Sequence, residues 1–466
     1  MRQRIAFLGL LTLSLALATG DGVADARTPG ISPDGVPQRL VLALDGIPYD
    51  VFVELQQRGY FTDFRPAARM VSTFPSLSDV SFAAIGGMEP PDGYQNMRFD
   101  SVRNKVVGNT IRSLSGRVHP NIEADSKAHS SLHRIVGYMA AYHVALHDLR
   151  DIGQQVLHSR KQTYVAYLEE SDAVLHVEGR PGAEKLLLQL DAFLQDLQAR
   201  VRARTGRELL VDIVSDHGST MVKGQAVPIE QLLRHCGFRR RDRIAHPYDA
   251  AYSLAGIIGS VAITVSKEHA EEAARCLAVA NGVDLVAVDR GEAVGILTSD
   301  GEAEVRSADT APEEYVYRVL RGDPLGLLQD RTAIPERRFD QASLFLQTRN
   351  APRPNPLRRL WRAFHGEVKE PGPLLVSLAD GYEAGNTGVR ALARIRGRVG
   401  THGSMTRLAS LGVFASNWRD VADVDAWSAN DALFGAGTVT AMRWVLSERT
   451  VRTDLPATAP PAHTGR

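Results

Sequence analysis

The chain has 466 residues, 44% hydrophobic and 23% charged, with 54 basic residues against 54 acidic ones. That length and composition suit a large α/β domain carrying an insertion, with a substantial core. A net formal charge of zero removes any electrostatic case for a nucleic-acid partner or an anionic membrane, while a phosphate substrate stays open because local metal ions can dominate the field of a site.

The first 26 residues read as a secretory signal peptide: Met1-Arg-Gln-Arg4 is basic, Ile5 to Ala18 is mostly apolar, and Ala24-Asp25-Ala26 fits a small-x-small cleavage site. The apolar run is short for a membrane span, and no later stretch is long and apolar enough for one. The expectation is a soluble exported protein, periplasmic if the source is a Gram-negative bacterium. Two cysteines, Cys236 and Cys276, can pair in an oxidising compartment, and the spacing leaves that pairing open.

Residues 27–37 form a Gly/Pro/Asp-rich linker. The run Leu40-Val-Leu-Ala-Leu44 has strand length and is apolar on both faces, as a central parallel strand is. It places Asp45 at a strand's carboxyl end, either as a turn residue before Gly46 or as a ligand. Tyr49 to Gly59 reads as helix. After Pro75, residues Val80 to Ile85 continue a helix with Ser76 or Ser78 near its N-terminus. A serine there is either a plain N-cap or a nucleophile whose alkoxide the helix dipole favours.

A helix over 127–150 carries His129, His133, His143 and His147; both pairs have chelating spacing, but no third ligand is suggested, and a surface role is expected. The strand Tyr164–Leu168 is followed by Asp172 and His176, four residues apart and able to serve one ion. A helix from Ala183 to Arg204 has the apolar stripe Leu186, Leu190, Phe193, Leu194, Leu197 and Val201. The next strand, Leu209 to Val214, runs into Asp216-His217-Gly218. Strand, crossover helix and strand make a βαβ unit and imply a parallel sheet. Residues 251–370 read as an inserted α+β subdomain, dividing a catalytic domain over 38–250 and 371–450; Leu374 to Leu378 is expected as the strand returning to the main sheet. His402 lies in the Gly-flanked loop Gly400-Thr-His-Gly-Ser404, and the Pro-rich tail 451–466 is expected to be disordered.

In order, Asp45-Gly46, Phe74-Pro-Ser-Leu-Ser78, Asp172…His176…Gly179, Ser215-Asp-His-Gly218 and Gly400-Thr-His-Gly403 resemble the motifs of the alkaline phosphatase superfamily, nearest to its type I phosphodiesterase/nucleotide pyrophosphatase branch. The resemblance covers about 38–220 and 370–410. It implies a central, mostly parallel sheet flanked by helices. It also implies Ser78 as nucleophile and two metal sites, one of Asp172, His176 and His402 and one of Asp45, Asp216, His217 and the Ser78 oxygen. Mixed Asp and His ligation suits Zn²⁺, and paired ions roughly 3.5–4 Å apart clamp an in-line displacement. The implied function is a two-metal phosphoester hydrolase acting on a small phosphate ester or phosphoanhydride through a phosphoryl-serine.

The sequence departs from the pattern in three places. The branch's usual nucleophile, Thr, is Ser78 here. The family's phosphate-steadying Asn is Ser81 here, and the Gly before the metal-binding His is Leu175. A sulfatase is not implied, because the Cys/Ser-x-Pro-x-Arg element is missing around Ser78. The rival readings are a phosphotransferase modifying an envelope glycan or lipid, and a non-catalytic binding protein on the same fold.

Overall fold

The computed structural model describes residues 32 and 34–435, apart from 96, 109–123, 127–130, 255, 309–312, 329–334 and 386–399. The expected signal peptide and the 451–466 tail lie outside these residues, as does His129. No helix among the described residues is long and apolar enough to cross a membrane.

The chain builds a mixed α/β fold around a six-stranded sheet ordered Val424–Asp425, Ala68–Val71, Leu411–Ser416, Leu210–Ser215, Arg39–Leu44, Thr163–Leu168. Arg39–Leu44 pairs in parallel with both Thr163–Leu168 and Leu210–Ser215, while Leu411–Ser416 runs antiparallel to its two neighbours. The expected α/β class with a mostly parallel central sheet, flanked by helices, is therefore what the chain adopts. The period-2 alternation of a strand explains why Leu40-Val-Leu-Ala-Leu44 is apolar throughout. Leu40, Leu42 and Leu44 join the core beneath the helices Tyr49–Gln57, Ser131–His158 and Glu170–Thr205. Val41 and Ala43 face the opposite core, shared with the helices Ser78–Ile85 and Ala426–Phe434.

The long helix begins earlier than its apolar stripe, at Glu170, and is broken at Gly179, whose φ of 60° is left-handed. Its second part buries Leu186, Leu190, Leu194, Leu197 and Val201, each of the order of 2 kcal/mol of transfer free energy. Gly206, at φ 73°, ends it in a left-handed cap.

A second, nine-stranded sheet draws on residues from Arg239 to Leu378. The helix Ala270–Ala278 covers one face, and Gln341–Thr348 and Pro356–Phe364 pack on the other. Leu374–Leu378, expected in the main sheet, lies here instead, antiparallel to both Ser260–Val265 and Val283–Asp289. A short run buried on both faces carries no mark of which sheet buries it. The strand that returns to the main sheet is Leu411–Ser416, beyond the His402 loop, inserted between Ala68–Val71 and Leu210–Ser215. Phe74, Leu77 and Met405 belong to the core under the second sheet, so that sheet supports the loop leading to Ser78. Cys236 and Cys276 are disulfide-bonded.

Candidate metal centre

The register of the central strands sets the site. Leu44 stands opposite Leu168 on one side and Ser215 on the other, so the three parallel strands end level. Asp45 and Asp216 therefore emerge side by side at the carboxyl edge, where ligands bind in open α/β sheets. Asp172 and His176 follow the third strand, one helical turn apart in the part of the helix that precedes the Gly179 break. His402 arrives from the loop before Leu411–Ser416.

These side chains converge in two groups. Asp45, Asp216 and His217 form one, and Asp172, His176 and His402 the other; within each, one ligand atom per residue lies within 4.8 Å of the rest. His176 Nε2 is 2.9 Å and His402 Nε2 3.8 Å from Asp172 Oδ2. His217 Nε2 lies 3.4 Å from Asp45 Oδ1 and 3.3 Å from Asp216 Oδ2. The His217 and His402 rings stack with centroids 3.9 Å apart, so the groups adjoin.

Ser78 joins the first group. It opens the Ser78–Ile85 helix, but Leu77 occupies the N-cap and no side chain caps there. The Ser78 hydroxyl instead lies 3.0 Å from Asp45 Oδ1, to which it donates, and 3.2 Å from His217 Nε2. The plain N-cap reading of Ser78 thus gives way to contact with the acid and imidazole of the centre.

All three histidines are oriented alike. Nδ1 faces a backbone carbonyl in each: Gly400 O at 2.7 Å for His176, Gly218 O at 2.9 Å for His217 and Ser76 O at 2.9 Å for His402. A carbonyl only accepts, so Nδ1 carries a hydrogen and Nε2 is the ring atom turned towards the carboxylates. That is the tautomer and outer-shell support of a metal-ligating histidine. The carboxylates are held too. Gly46 N–H donates to Asp216 Oδ1 at 3.0 Å, and Tyr167 O–H donates to Asp45 Oδ2.

Asp172 Oδ1 and Asp216 Oδ2 are buried without a hydrogen-bond partner. A buried carboxylate oxygen is normally satisfied, and an orphan invites an unseen ion. Charge points the same way. Burial pushes the Asp216 carboxyl up to about 8 against the pull of His217, and burial likewise raises Asp45. Burial disfavours the His217 cation, but Asp216 and Asp45 overcome it and hold the ring up to about 10. Burial and the His217 charge hold His402 well below its ordinary range. For Asp172 the burial penalty is outweighed by His176 and His402, and its carboxyl sits below the usual carboxylate range. Protons occupy the first group where a cation would otherwise balance the acids. The donor set, two groups of mixed Asp and His side chains with three residues each, is of the kind that would suit a divalent ion such as zinc.

A pH dependence follows for the metal-free protein. Asp216 binds its proton more tightly folded than unfolded, over the window from about 4 to about 8. His217 does the same from about 6.5 to about 10. The folded state holds the extra protons in both windows, so both contributions to stability are lost as pH rises. The depressed His402 works the other way up to about pH 6.5, so thermal melts of chelator-treated protein are expected to show Tm falling from pH 7 to pH 9, with added Zn²⁺ reversing the loss. A metal-free Tm that rises across this range would contradict the charge balance described.

Gly46 lies between the groups at φ 71°, and a Cβ there would approach Asp172 Oδ1 to 2.8 Å and His217 Cε1 to 3.2 Å. Gly46→Ala is expected to cost about 1 kcal/mol from the backbone alone and to weaken zinc binding through displacement of both groups. Zinc titration of the variant at wild-type affinity would refute this.

Of the other residues singled out in the sequence, Ser81 is fully buried, with its hydroxyl 2.7 Å from Ser72 Oγ and 2.8 Å from Thr73 Oγ1. It braces the turn before Ser78 and does not point into the centre. Leu175, standing where the resemblance has Gly, is buried in the core under the long helix. His143 and His147 are exposed, outside both groups. Tyr167 was not foreseen; its signal is position, because it is opposite Ala43 in register, two residues before Asp45.

No family model and no curated protein matches the chain. Among solved structures, it is similar to murine ectonucleotide pyrophosphatase/phosphodiesterase 5 over 91% of this chain and 97% of that chain, at 12% identity and a TM-score of 0.45. The human protein of that name matches over the same shares at 12% identity and a TM-score of 0.42. An inactive variant of the murine protein in complex with AMP matches over 85% of this chain and 94% of that chain, at 12% identity and a TM-score of 0.47.

Proposed function

We propose that the chain is an exported two-metal phosphoester hydrolase of the phosphodiesterase/nucleotide pyrophosphatase type, with Ser78 as its nucleophile. One observation carries the reading. The Ser78 hydroxyl contacts Asp45 and His217, members of one Asp/His group, and the His402 ring of the second group stacks on His217. Asp45, Asp216 and His217 would hold one zinc ion and Asp172, His176 and His402 the other. When bound, the ions would supply positive charge to the phosphoryl oxygens, ease ionisation of the serine hydroxyl and activate water.

The chain's own groups account for the rest. Ser78 Oγ attacks phosphorus as the ester or anhydride oxygen leaves, and water then cleaves the Oγ–P bond to release phosphate or phosphate monoester. Asp45 Oδ1 is placed to take the hydroxyl hydrogen, and Tyr167 fixes that carboxylate from its other oxygen. The N-terminal end of the Ser78–Ile85 helix favours negative charge on Oγ. Positioning and charge neutralisation dominate phosphoryl transfer, which suits a site built of rigid strand ends.

Export is part of the proposal, supported by the basic and apolar N-terminal segment and by the Cys236–Cys276 bond, which belongs in an oxidising compartment. The division into a metal-bearing unit and an inserted one is likewise proposed. The substrate class is a small phosphate diester or phosphoanhydride. A panel of aryl phosphate mono- and diesters, a nucleoside pyrophosphate and an aryl sulfate, assayed with Zn²⁺, Mn²⁺ or Mg²⁺, tests it. Metal-dependent cleavage of diesters and anhydrides is expected to exceed that of monoesters and sulfate; no turnover of any phosphate substrate would rule the proposal out.

A further inference from the structure

Arg359 heads the large side chains that are fully buried, at 0% exposure. It comes from the helix Pro356–Phe364, whose Leu357, Leu360, Ala363 and Phe364 pack into the core under the second sheet. Its guanidinium donates five hydrogen bonds, none to a carboxylate. Two reach Thr73 O, at 2.8 and 3.2 Å. The others reach Met405 O at 3.2 Å, Pro354 O at 3.1 Å and Ser410 Oγ at 2.8 Å.

Thr73 and Met405 flank the two loops that matter. Thr73 opens the turn that ends on Ser78, and its own hydroxyl holds Pro75 O at 2.9 Å. Met405 closes the loop that carries His402. The loops also meet at Ser76, whose carbonyl accepts from His402 Nδ1 and whose hydroxyl accepts from Gly403 N at 3.0 Å and donates to Ser404 O at 3.1 Å. Ser76 therefore couples them at the centre, and Arg359 couples them from behind.

Burying an unpaired guanidinium is costly, and an apolar side chain of like volume is the cheaper filler of a core. The fork geometry is what an apolar side chain lacks: it spans carbonyls of three separate segments at fixed separations. We infer that Arg359 is a positioning residue, which sets the placement of the Ser78 turn against the His402 loop and so ties the metal centre to the second sheet. The kinetic arm of its test rests on the hydrolase reading; the exchange arm does not.

Arg359→Lys and Arg359→Met, in the full chain, test this by circular dichroism, amide hydrogen exchange and steady-state hydrolysis of an aryl phosphate diester with Zn²⁺. Lysine keeps the charge but bridges fewer acceptors, and methionine keeps bulk alone. Both are expected to fold, with exchange accelerated about tenfold or more in residues 73–78 and 401–406 and little changed in the Glu170–Thr205 helix. Turnover is expected to drop about tenfold or more at nearly constant KM, with methionine worse than lysine, as for a small misplacement of reacting groups. Folded variants with wild-type exchange in both segments would overturn the inference. So would exchange that rises equally everywhere, or failure of both variants to fold, since either would make Arg359 a core residue only. If the wild-type chain hydrolyses nothing, the hydrolase reading fails while the exchange result still decides the role of Arg359.

Discussion

Ser78→Ala is expected to lower kcat for phosphate diester hydrolysis by about 10³-fold or more, as loss of the nucleophile does in covalent catalysis. The structure argues that little else changes. Ser78 is only half-buried, caps no helix end and spends its hydroxyl on Asp45 and His217 alone. Unfolding free energy is therefore expected to stay within about 1 kcal/mol of the wild-type value, the net worth of an ordinary hydrogen bond. Zinc affinity is expected to weaken modestly, because Asp45, Asp216 and His217 remain. Steady-state kinetics on metal-loaded protein check this. Turnover of the alanine variant at the wild-type rate would remove Ser78 from the mechanism while leaving the metal centre to be judged separately.

Asp216→Asn is expected to move stability and metal binding in opposite directions. Asp216 is fully buried, one of its oxygens has no hydrogen-bond partner, and burial already drives its carboxyl towards the neutral form. Asparagine keeps the shape and removes the desolvation penalty, and its amide oxygen can still accept from Gly46 N–H. In the absence of metal the variant is expected to melt at or above the wild-type temperature below pH 8, where the wild-type carboxyl is neutral as well and no ion pair with His217 is lost. In its presence the order reverses. A ligand at 100 times its Kd stabilises by about 2.7 kcal/mol, and a variant that no longer binds loses that gain. Loss of a ligand is expected to weaken zinc binding by more than the 10–100-fold typical of an outer-shell change. Differential scanning calorimetry with and without Zn²⁺ measures both. A variant destabilised without metal and unchanged with it would show Asp216 to be a structural residue.

How much of this was legible in the sequence depended on chain-local signals. Asp45 and Asp216-His217 could be placed because each follows an apolar run of strand length, and strand ends are where an open sheet binds ligands. Asp172 and His176 could be paired because one helical turn separates them. What placed His402 was its order after those motifs, since a loop histidine alone says nothing. The failures came where the information is not local. Leu374–Leu378 has the composition of a buried strand in either sheet, and only its partners assign it to the second. Leu411–Ser416 has a similar apolar character and was passed over, although it is the strand that returns to the main sheet. Ser81 sits on the helix that carries Ser78, three residues on, but its hydroxyl turns to Ser72 and Thr73. Arg359 was not singled out at all; that it is buried among carbonyls of distant segments is a property of the fold.

If two divalent ions bind beside the Ser78 oxygen, as proposed, anomalous diffraction from zinc-loaded crystals will locate them. Two zinc peaks per chain are expected, one bounded by Asp45, Asp216 and His217 and the other by Asp172, His176 and His402. Crystals grown with saturating Zn²⁺ that show no peak among these six side chains would contradict the proposal.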